Sequence, residues 1–306
     1  MATPTPHTME EARQQLGPDA TIVGVIGSPV AHSLSPVLHN AAFAALGLGS
    51  QWHSFAFEIA AGAVPAALWD MRRFDVRGLS VTMPHKADVA AAVDELSEEA
   101  RILEAVNCVI NRDGVLRGAN TDGEGFVASL QRGSGFDPGD ATCLVVGAGG
   151  AARAVLLALA GCEAGEVVVL NRTLMRARAA VGLAGNVGSV VESEDPDAVA
   201  RVVAAADLVV NATPIGMAGT DSAAAEADSE WLVPPTLLRK GQVVVDLVYA
   251  PRPTPWLASA AKAGATTLDG LGMLVHQAAA QVTLWTGQEA PVTAMWDAAE
   301  AASPAD

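Results

Sequence analysis

Short apolar runs alternate with helix-length stretches along most of this chain. Residues 21–27 (TIVGVIG) read as a buried strand stopped by Ser28-Pro29. Ser35-Pro36 then sets an N-cap and a proline at the first helical position, predicting a helix that runs to Leu46. A strand over 51–59, a helix over 63–73, a strand over 76–82 and a mostly helical stretch over 86–101 follow. Runs at 106–110 and 115–119 flank Arg112-Asp113-Gly114, a hairpin signal. Alternation of this kind predicts an α/β domain with a mostly parallel sheet. The polar residues 1–18 ahead of it read as a disordered leader.

A second region continues the pattern. It opens with a helix near 122–131 and a polar bridge over 133–140. Strands are predicted at 143–146, 167–170, 208–211 and 243–247, with helices at 151–160 and 173–181 and a further segment at 198–206. The Ala-, Ser- and acid-rich stretch 218–230 reads as a surface loop, and 271–285 and 293–301 as terminal helices. No internal repeat is evident.

Length and composition narrow the class. At 306 residues, 51% of them hydrophobic, the chain suits two domains with sizeable cores. Basic residues number 18 against 34 acidic, a net charge of −16, which argues against nucleic acid or anionic lipid as a partner. Mean hydropathy is +0.31, yet no run of about 18 apolar residues offers a membrane span. The start lacks the basic and apolar regions of a signal peptide. Cys108, Cys143 and Cys162 are odd in number and lack metal-ligand spacing, which fits a reduced cytoplasmic setting. The six histidines are scattered, so no metal site is indicated. Lysine is scarce, only Lys86, Lys240 and Lys262, which draws attention to any lysine inside a motif.

A glycine motif is expected to bind phosphate. Gly147-Ala148-Gly149-Gly150-Ala151-Ala152 follows an apolar strand and opens an apolar helix, fitting G-x-G-x-x-A. The first glycine turns tightly, the second admits a pyrophosphate, and the helix N-terminus favours the anion. At the end of the next strand an NAD enzyme carries an acidic residue for the ribose diol. This chain instead reads Asn171-Arg172-Thr173, with Arg176 one turn later. Arginine pairs with a 2′-phosphate that a carboxylate would repel, so NADP is the expected cofactor.

Other polar clusters fall at predicted strand ends. Ser33 and Ser35 sit two apart, so both hydroxyls point the same way; they either cap the following helix or hold a carboxylate. Thr82 and Lys86 end one strand, and Asp122 follows the hairpin in Asn120-Thr121-Asp122-Gly123. Lys86 and Asp122 form either a structural ion pair or the proton-transfer unit that hydride chemistry at an alcohol requires.

These blocks together resemble the shikimate dehydrogenase family over nearly the whole chain. The resemblance is carried by Ser33-Leu34-Ser35-Pro36 with His39-Asn40, by Val81-Thr82-Met83-Pro84-His85-Lys86, by Ala105-Val106-Asn107 and by Asn120-Thr121-Asp122-Gly123. GAGGAARA from Gly147, Asn171-Arg172-Thr173, NATPIGM from Asn211, DLVY from Asp246 and GLGMLVHQ from Gly270 complete nine blocks in family order. The resemblance implies NADPH-dependent reduction of 3-dehydroshikimate to shikimate, a step toward chorismate and the aromatic amino acids. It implies a two-domain α/β protein: a substrate-binding domain at 1–122 plus 271–306, and a Rossmann-type NADP-binding domain at 123–270.

Carried over by position, Ser33, Ser35 and Tyr249 would hold the ring carboxylate. Thr82, Lys86, Asn107, Asp122 and Gln277 would line the ring hydroxyls, with Lys86 and Asp122 as the catalytic pair. Gly147, Ala148, Gly149, Gly150, Ala151, Asn171, Arg172, Thr173 and Arg176 would hold the dinucleotide, and Thr213, Gly270 and Met273 would border its nicotinamide. Three departures stand out: Cys108 replaces a common Thr, Glu104 a common Gly, and the loop over 218–235 is long. The expected partner is a small-molecule substrate; a homodimer stays open. The alternatives are a quinate or aminoshikimate dehydrogenase using NAD or NADP, a catalytically idle NADP-sensing module, and, more remotely, a folate dehydrogenase.

Overall fold

The computed structural model describes residues 8–217 and 231–303; His7 and the acid-rich stretch 218–230 lie outside them. The chain divides into two compact units, Met1–Thr121 with Val275–Ala302, and Asp122–Leu274 with Ser303–Asp306.

The first unit runs α1 (Met9–Leu16), β1 (Thr21–Gly27), α2 (Ser35–Ala45), β2 (Trp52–Glu58), α3 (Val64–Arg73), β3 (Val76–Val81), α4 (Lys86–Ala90), β4 (Glu95–Leu96), α5 (Glu98–Leu103), β5 (Cys108–Arg112) and β6 (Val115–Ala119). Its sheet has the order β2-β1-β3-β5-β6-β4. The sheet is mixed: β1 is parallel to β2 and β3, and β4 to β6, whereas β5 runs antiparallel to β3 and β6. The β5–β6 turn places Asp113 and Gly114 at φ 55° and 87°, the left-handed pair that a tight hairpin requires. One face of the sheet packs Ile22, Ile26, Leu79, Val109 and Leu116 against Leu68 and Met71 of α3. Each such side chain contributes roughly 1.5–3 kcal/mol by leaving water.

The second unit runs α6 (Asp122–Ser134), β7 (Thr142–Val146), α7 (Gly150–Gly161), β8 (Glu166–Leu170), α8 (Leu174–Ala180), β9 (Gly188–Val191), α9 (Pro196–Ala205), β10 (Leu208–Asn211), β11 (Val243–Asp246), α10 (Pro255–Lys262) and β12 (Thr266–Leu268). α11 (Gly270–Thr286) leads the chain back to the first unit, where α12 (Val292–Ala302) packs on α2. The second sheet is parallel throughout, in the order β12-β11-β10-β7-β8-β9. The strand order reverses between β7 and β10, the switch point at which α/β sheets bind ligands. Both faces are covered, by α7 and α8 on one side and α9 and α10 on the other, so its central strands are continuous apolar runs.

Two expectations need correcting. The leader is not disordered throughout: Thr8 caps α1, its Oγ1 accepting from the Glu11 amide at 3.1 Å while the Glu11 carboxylate receives the Thr8 N–H at 2.9 Å. Only Met9 and Ala12 of this helix are buried, which is why its pattern reads as polar. The stretch 86–101 is not one helix. The Asp94 and Ser97 amides bond to the Leu116 and Gly118 carbonyls across β6, and Ser97 then caps a new helix. The first sheet is mostly parallel, as expected: five of its six strands run the same way and β5 alone runs against them. α10 and the short edge strands β9 and β12 were not anticipated. Among the described residues no helix is long and apolar enough to cross a membrane.

Candidate active site

In the first unit the candidate residues gather at the ends of β1, β3, β5 and β6. Ser33 and Ser35 straddle the start of α2; their hydroxyls are 3.2 Å apart and the Ser35 amide donates to Ser33 Oγ at 3.3 Å. Leu34, the N-cap of α2, has no side-chain bond; Ser33 Oγ instead accepts the first amide of the helix, so Ser33 takes part in closing the helix start. Thr82 follows β3, half-buried, and a Cβ on Gly27 would press on its methyl. Lys86 opens α4, and its carbonyl receives the Val106 amide at 2.9 Å. That bond ties the lysine's backbone to the residue before Asn107.

Asn107, Thr121 and Gln277 are joined directly and are all buried. The Thr121 amide donates to Asn107 Oδ1 at 2.8 Å, and Asn107 Nδ2 donates to Thr121 Oγ1 at 3.0 Å and to Gln277 Oε1 at 3.3 Å. Asp122, the next residue, is buried and opens α6. Cys108, which follows Asn107, is fully buried beside Trp285, and burial pushes its thiol pKa up.

In the second unit the glycine loop sits at the switch point. Gly147 has φ 117°, and a Cβ there would lie 3.0 Å from the Ala212 carbonyl after β10. Gly149 and Gly150 face open space, α7 begins with no acidic residue in its first turn, and Ala152 is fully buried beneath. An open backbone cradle at the N-terminus of a twelve-residue helix fits a pyrophosphate. After β8, Asn171 Nδ2 donates to the Thr173 carbonyl at 2.9 Å. Arg172 and Arg176 are exposed and make no ion pair with any described residue, and the Thr173 side chain is not engaged in capping α8. These groups suit a 2′-phosphate.

Thr213 is held by Asn211, whose Oδ1 accepts from the Thr213 amide at 3.1 Å and hydroxyl at 2.7 Å. Asn211 in turn donates to buried Asp246 at 2.9 Å, which also accepts from Thr254 Oγ1 at 2.7 Å and the Val248 amide at 3.1 Å. Despite these donors, burial dominates and pushes the Asp246 pKa up to about 6. Tyr249 is partly buried, which raises its hydroxyl pKa. Gly270 is packed so that a Cβ would collide with the Leu247 carbonyl, and Met273 lies in the apolar core of this unit.

Three chemistry-bearing residues were missed by sequence reasoning: Asp246 with its partner Asn211, and Gln281. Each had a faint signal, a lone polar residue closing an apolar strand (VVVD, LVVN) or a second Gln four residues after Gln277 on an apolar helix.

Comparison with known proteins identifies the family. Residues 25–109 match the shikimate dehydrogenase substrate binding domain, 132–249 shikimate / quinate 5-dehydrogenase, and 270–300 the shikimate 5′-dehydrogenase C-terminal domain. The NADP(+) shikimate dehydrogenase of Moorella thermoacetica is 43% identical over 277 residues, 90% of either chain. The chain belongs to the shikimate dehydrogenase family. The Methanopyrus kandleri member is likewise 43% identical, over 92% of this chain and 95% of its own. The Thermus thermophilus shikimate 5-dehydrogenase, solved with NADP(H) and shikimate, superposes with a TM-score of 0.81 at 37% identity, covering 92% of this chain and 99% of that one.

Proposed function

We propose that this member of the family is an NADP-dependent shikimate dehydrogenase that reduces 3-dehydroshikimate to shikimate, in the cytoplasm. The observation that carries this reading is the buried Asn107–Thr121–Gln277 cluster, with Asp122 next in sequence and the Lys86 backbone bonded one residue before Asn107. In this assignment the first unit binds the substrate and the second the dinucleotide. Gly147 to Ala151 cradle the pyrophosphate, while Arg172, Thr173 and Arg176 take the 2′-phosphate. Thr213, Gly270 and Met273 border the nicotinamide.

Ser33 and Ser35, with Tyr249, hold the ring carboxylate through hydroxyl donors. Thr82, Asn107 and Gln277 fix the ring by its oxygens. NADPH, when bound, supplies the hydride. Lys86, with Asp122 as the second member of the catalytic pair, gives or relays the proton to the oxygen that becomes the new hydroxyl, and its ammonium stabilises negative charge on that oxygen while the bond forms. Both ligands are anions and the protein carries −16, so the net field opposes their approach. Attraction is therefore local, supplied by Lys86, Arg172, Arg176 and the α7 N-terminus.

The deciding experiment is a kcat/KM panel of shikimate against quinate with NADP against NAD. Shikimate with NADP should be preferred on both axes. A preference for quinate would overturn the substrate, and absence of turnover with all four combinations would overturn the activity.

A further inference from the structure

Three side-chain amides in the first unit, Asn107, Gln277 and Gln281, lie in one hydrogen-bonded chain, and two backbone groups decide which way each amide points. The Thr121 N–H can only donate, and it donates to Asn107 Oδ1 at 2.8 Å, so the NH2 of Asn107 must face the other way, toward Gln277 Oε1 at 3.3 Å. The Asn107 carbonyl can only accept, and Gln281 Nε2 lies 3.1 Å from it, so the Gln281 amide is pinned with its NH2 on that side. Its second N–H reaches Gln277 Oε1 at 2.8 Å. Gln277 Oε1 thus receives two donors, each fixed by the backbone. We propose that Gln281 is a positioning residue that sets the polarity of Gln277, so that Gln277 turns its NH2 end toward the substrate and recognises a ring oxygen as an acceptor.

The far side of Gln281 supports this. With its NH2 committed, Oε1 points away, and it is one of three buried polar side-chain atoms lacking a partner among the described residues; His39 Nε2 is another. Burial holds the His39 ring neutral down to about pH 3. The other ring nitrogen lies 2.9 Å from Ser54 Oγ. Gln277, Gln281 and Trp285 recur every four residues along one face of α11, and Trp285 Nε1 donates to the Val109 carbonyl at 3.1 Å. Gln281 is fully buried between these anchors.

The inference rests on the functional reading that Gln277 meets the substrate ring, and the test separates the two. Steady-state kinetics are measured for the full-length wild type, Gln281→Met and Gln281→Glu. Gln281→Met keeps the length of the side chain and removes its donors. It should raise the shikimate KM about tenfold while kcat changes less than about threefold and the NADP KM stays put.

Gln281→Glu adds a pH signature. Ionised, the introduced carboxylate only accepts, so it draws the Gln277 NH2 inward and reverses its polarity; protonated, it donates to Oε1 and restores it. Its shikimate KM should therefore fall toward the wild-type value as pH drops across roughly pH 6–9, where burial places such a carboxyl. The titratable neighbours are His39 on α2, neutral in this range, and the Cys108 thiol on β5, which burial keeps protonated. Neither can imitate that profile.

A shikimate KM unchanged in Gln281→Met, or a Gln281→Glu profile parallel to wild type, would overturn the proposal. Should both variants fail to fold, Gln277→Glu decides: it satisfies both inner donors but presents an oxygen in place of NH2. Undiminished shikimate affinity in that variant would sink the idea. A wild-type enzyme that turns over no shikimate overturns the functional reading and this inference with it, whereas wild-type turnover with unaltered Gln281 variants overturns the inference alone.

Discussion

Buried polar groups in the second sheet are confined to strand ends: β10 reads Leu208-Val209-Val210-Asn211, β11 Val243-Val244-Val245-Asp246, and each polar residue comes last. In the first unit they reach into the packed layer, where Ser54 bonds His39 of α2 and Asn107 bonds Gln277 and Gln281 of α11. The difference follows from how each unit is assigned to meet its ligand. The second unit offers backbone, a glycine cradle and a helix terminus, with two exposed arginines beside it. That kind of recognition needs small residues and a firm apolar scaffold. The first unit reads a small polyhydroxylated ring, so it needs side chains of fixed direction, and fixed direction requires buried partners.

The contrast makes predictions that run from large to small. Lys86→Ala should cut kcat by about a thousandfold with little change in shikimate KM, because one ammonium carries both the proton and the charge stabilisation. Near-normal turnover by that variant would erase the distinction between the units.

Acid should strike the two units in opposite senses. His39 has its pKa lowered from 6.5 to about 3 by burial, so its neutral packing stabilises the first unit above pH 6.5 and is lost as pH falls toward 3. Asp246 is pushed up from 3.8 to about 6, so its contribution is full below pH 3.8 and is lost as pH rises through 6. Asp246→Asn, with the Thr254 hydroxyl turning to accept, should therefore gain about 2–3 kcal/mol relative to wild type at pH 7 and nothing near pH 4. Thermal unfolding followed across that range checks both signs; equal responses at pH 4 and 7 would contradict the burial argument.

Arg172→Ala should raise the NADP KM about 10- to 30-fold, leaving kcat and the NAD KM nearly unchanged, since an exposed pair adds affinity without shaping the reaction. Smallest of all is a backbone effect. Glu104 ends α5 at φ 51° and ψ 37°, left-handed, with a carboxylate against the helix C-terminus. Glu104→Gly should stabilise the first unit by about 0.5–1 kcal/mol, visible as a small rise in Tm.

What could be read from the chain alone divides along the same line. The glycine loop works through neighbouring backbone, so its function is local and GAGGAAR announces it; the apolar strands of the second sheet announce themselves too. Elements defined by tertiary pairing did not show. β4 is two residues long and exists because β6 accepts it, and β9 and β12 are short edge strands whose GSVV and TTL are too brief to carry a period. Gln281 is the sharpest case. On a helix a glutamine ordinarily marks the wet side, and nothing local reveals that this one meets a carbonyl 174 positions earlier.

Trp285 adds one more consequence. Its indole stands edge-on to the His39 ring, the centroids 4.9 Å apart and the planes at 83°, and it fits against the sheet where Gly78 has no side chain to obstruct it. Indole emission is sensitive to a nearby positive charge and to small changes of field. The amide chain therefore comes with its own optical gauge: of six tryptophans, this one shares a helix face with the glutamines it reports on. Ligand docking against Gln277 and the charging of His39 in acid should both be legible in its light, without any label.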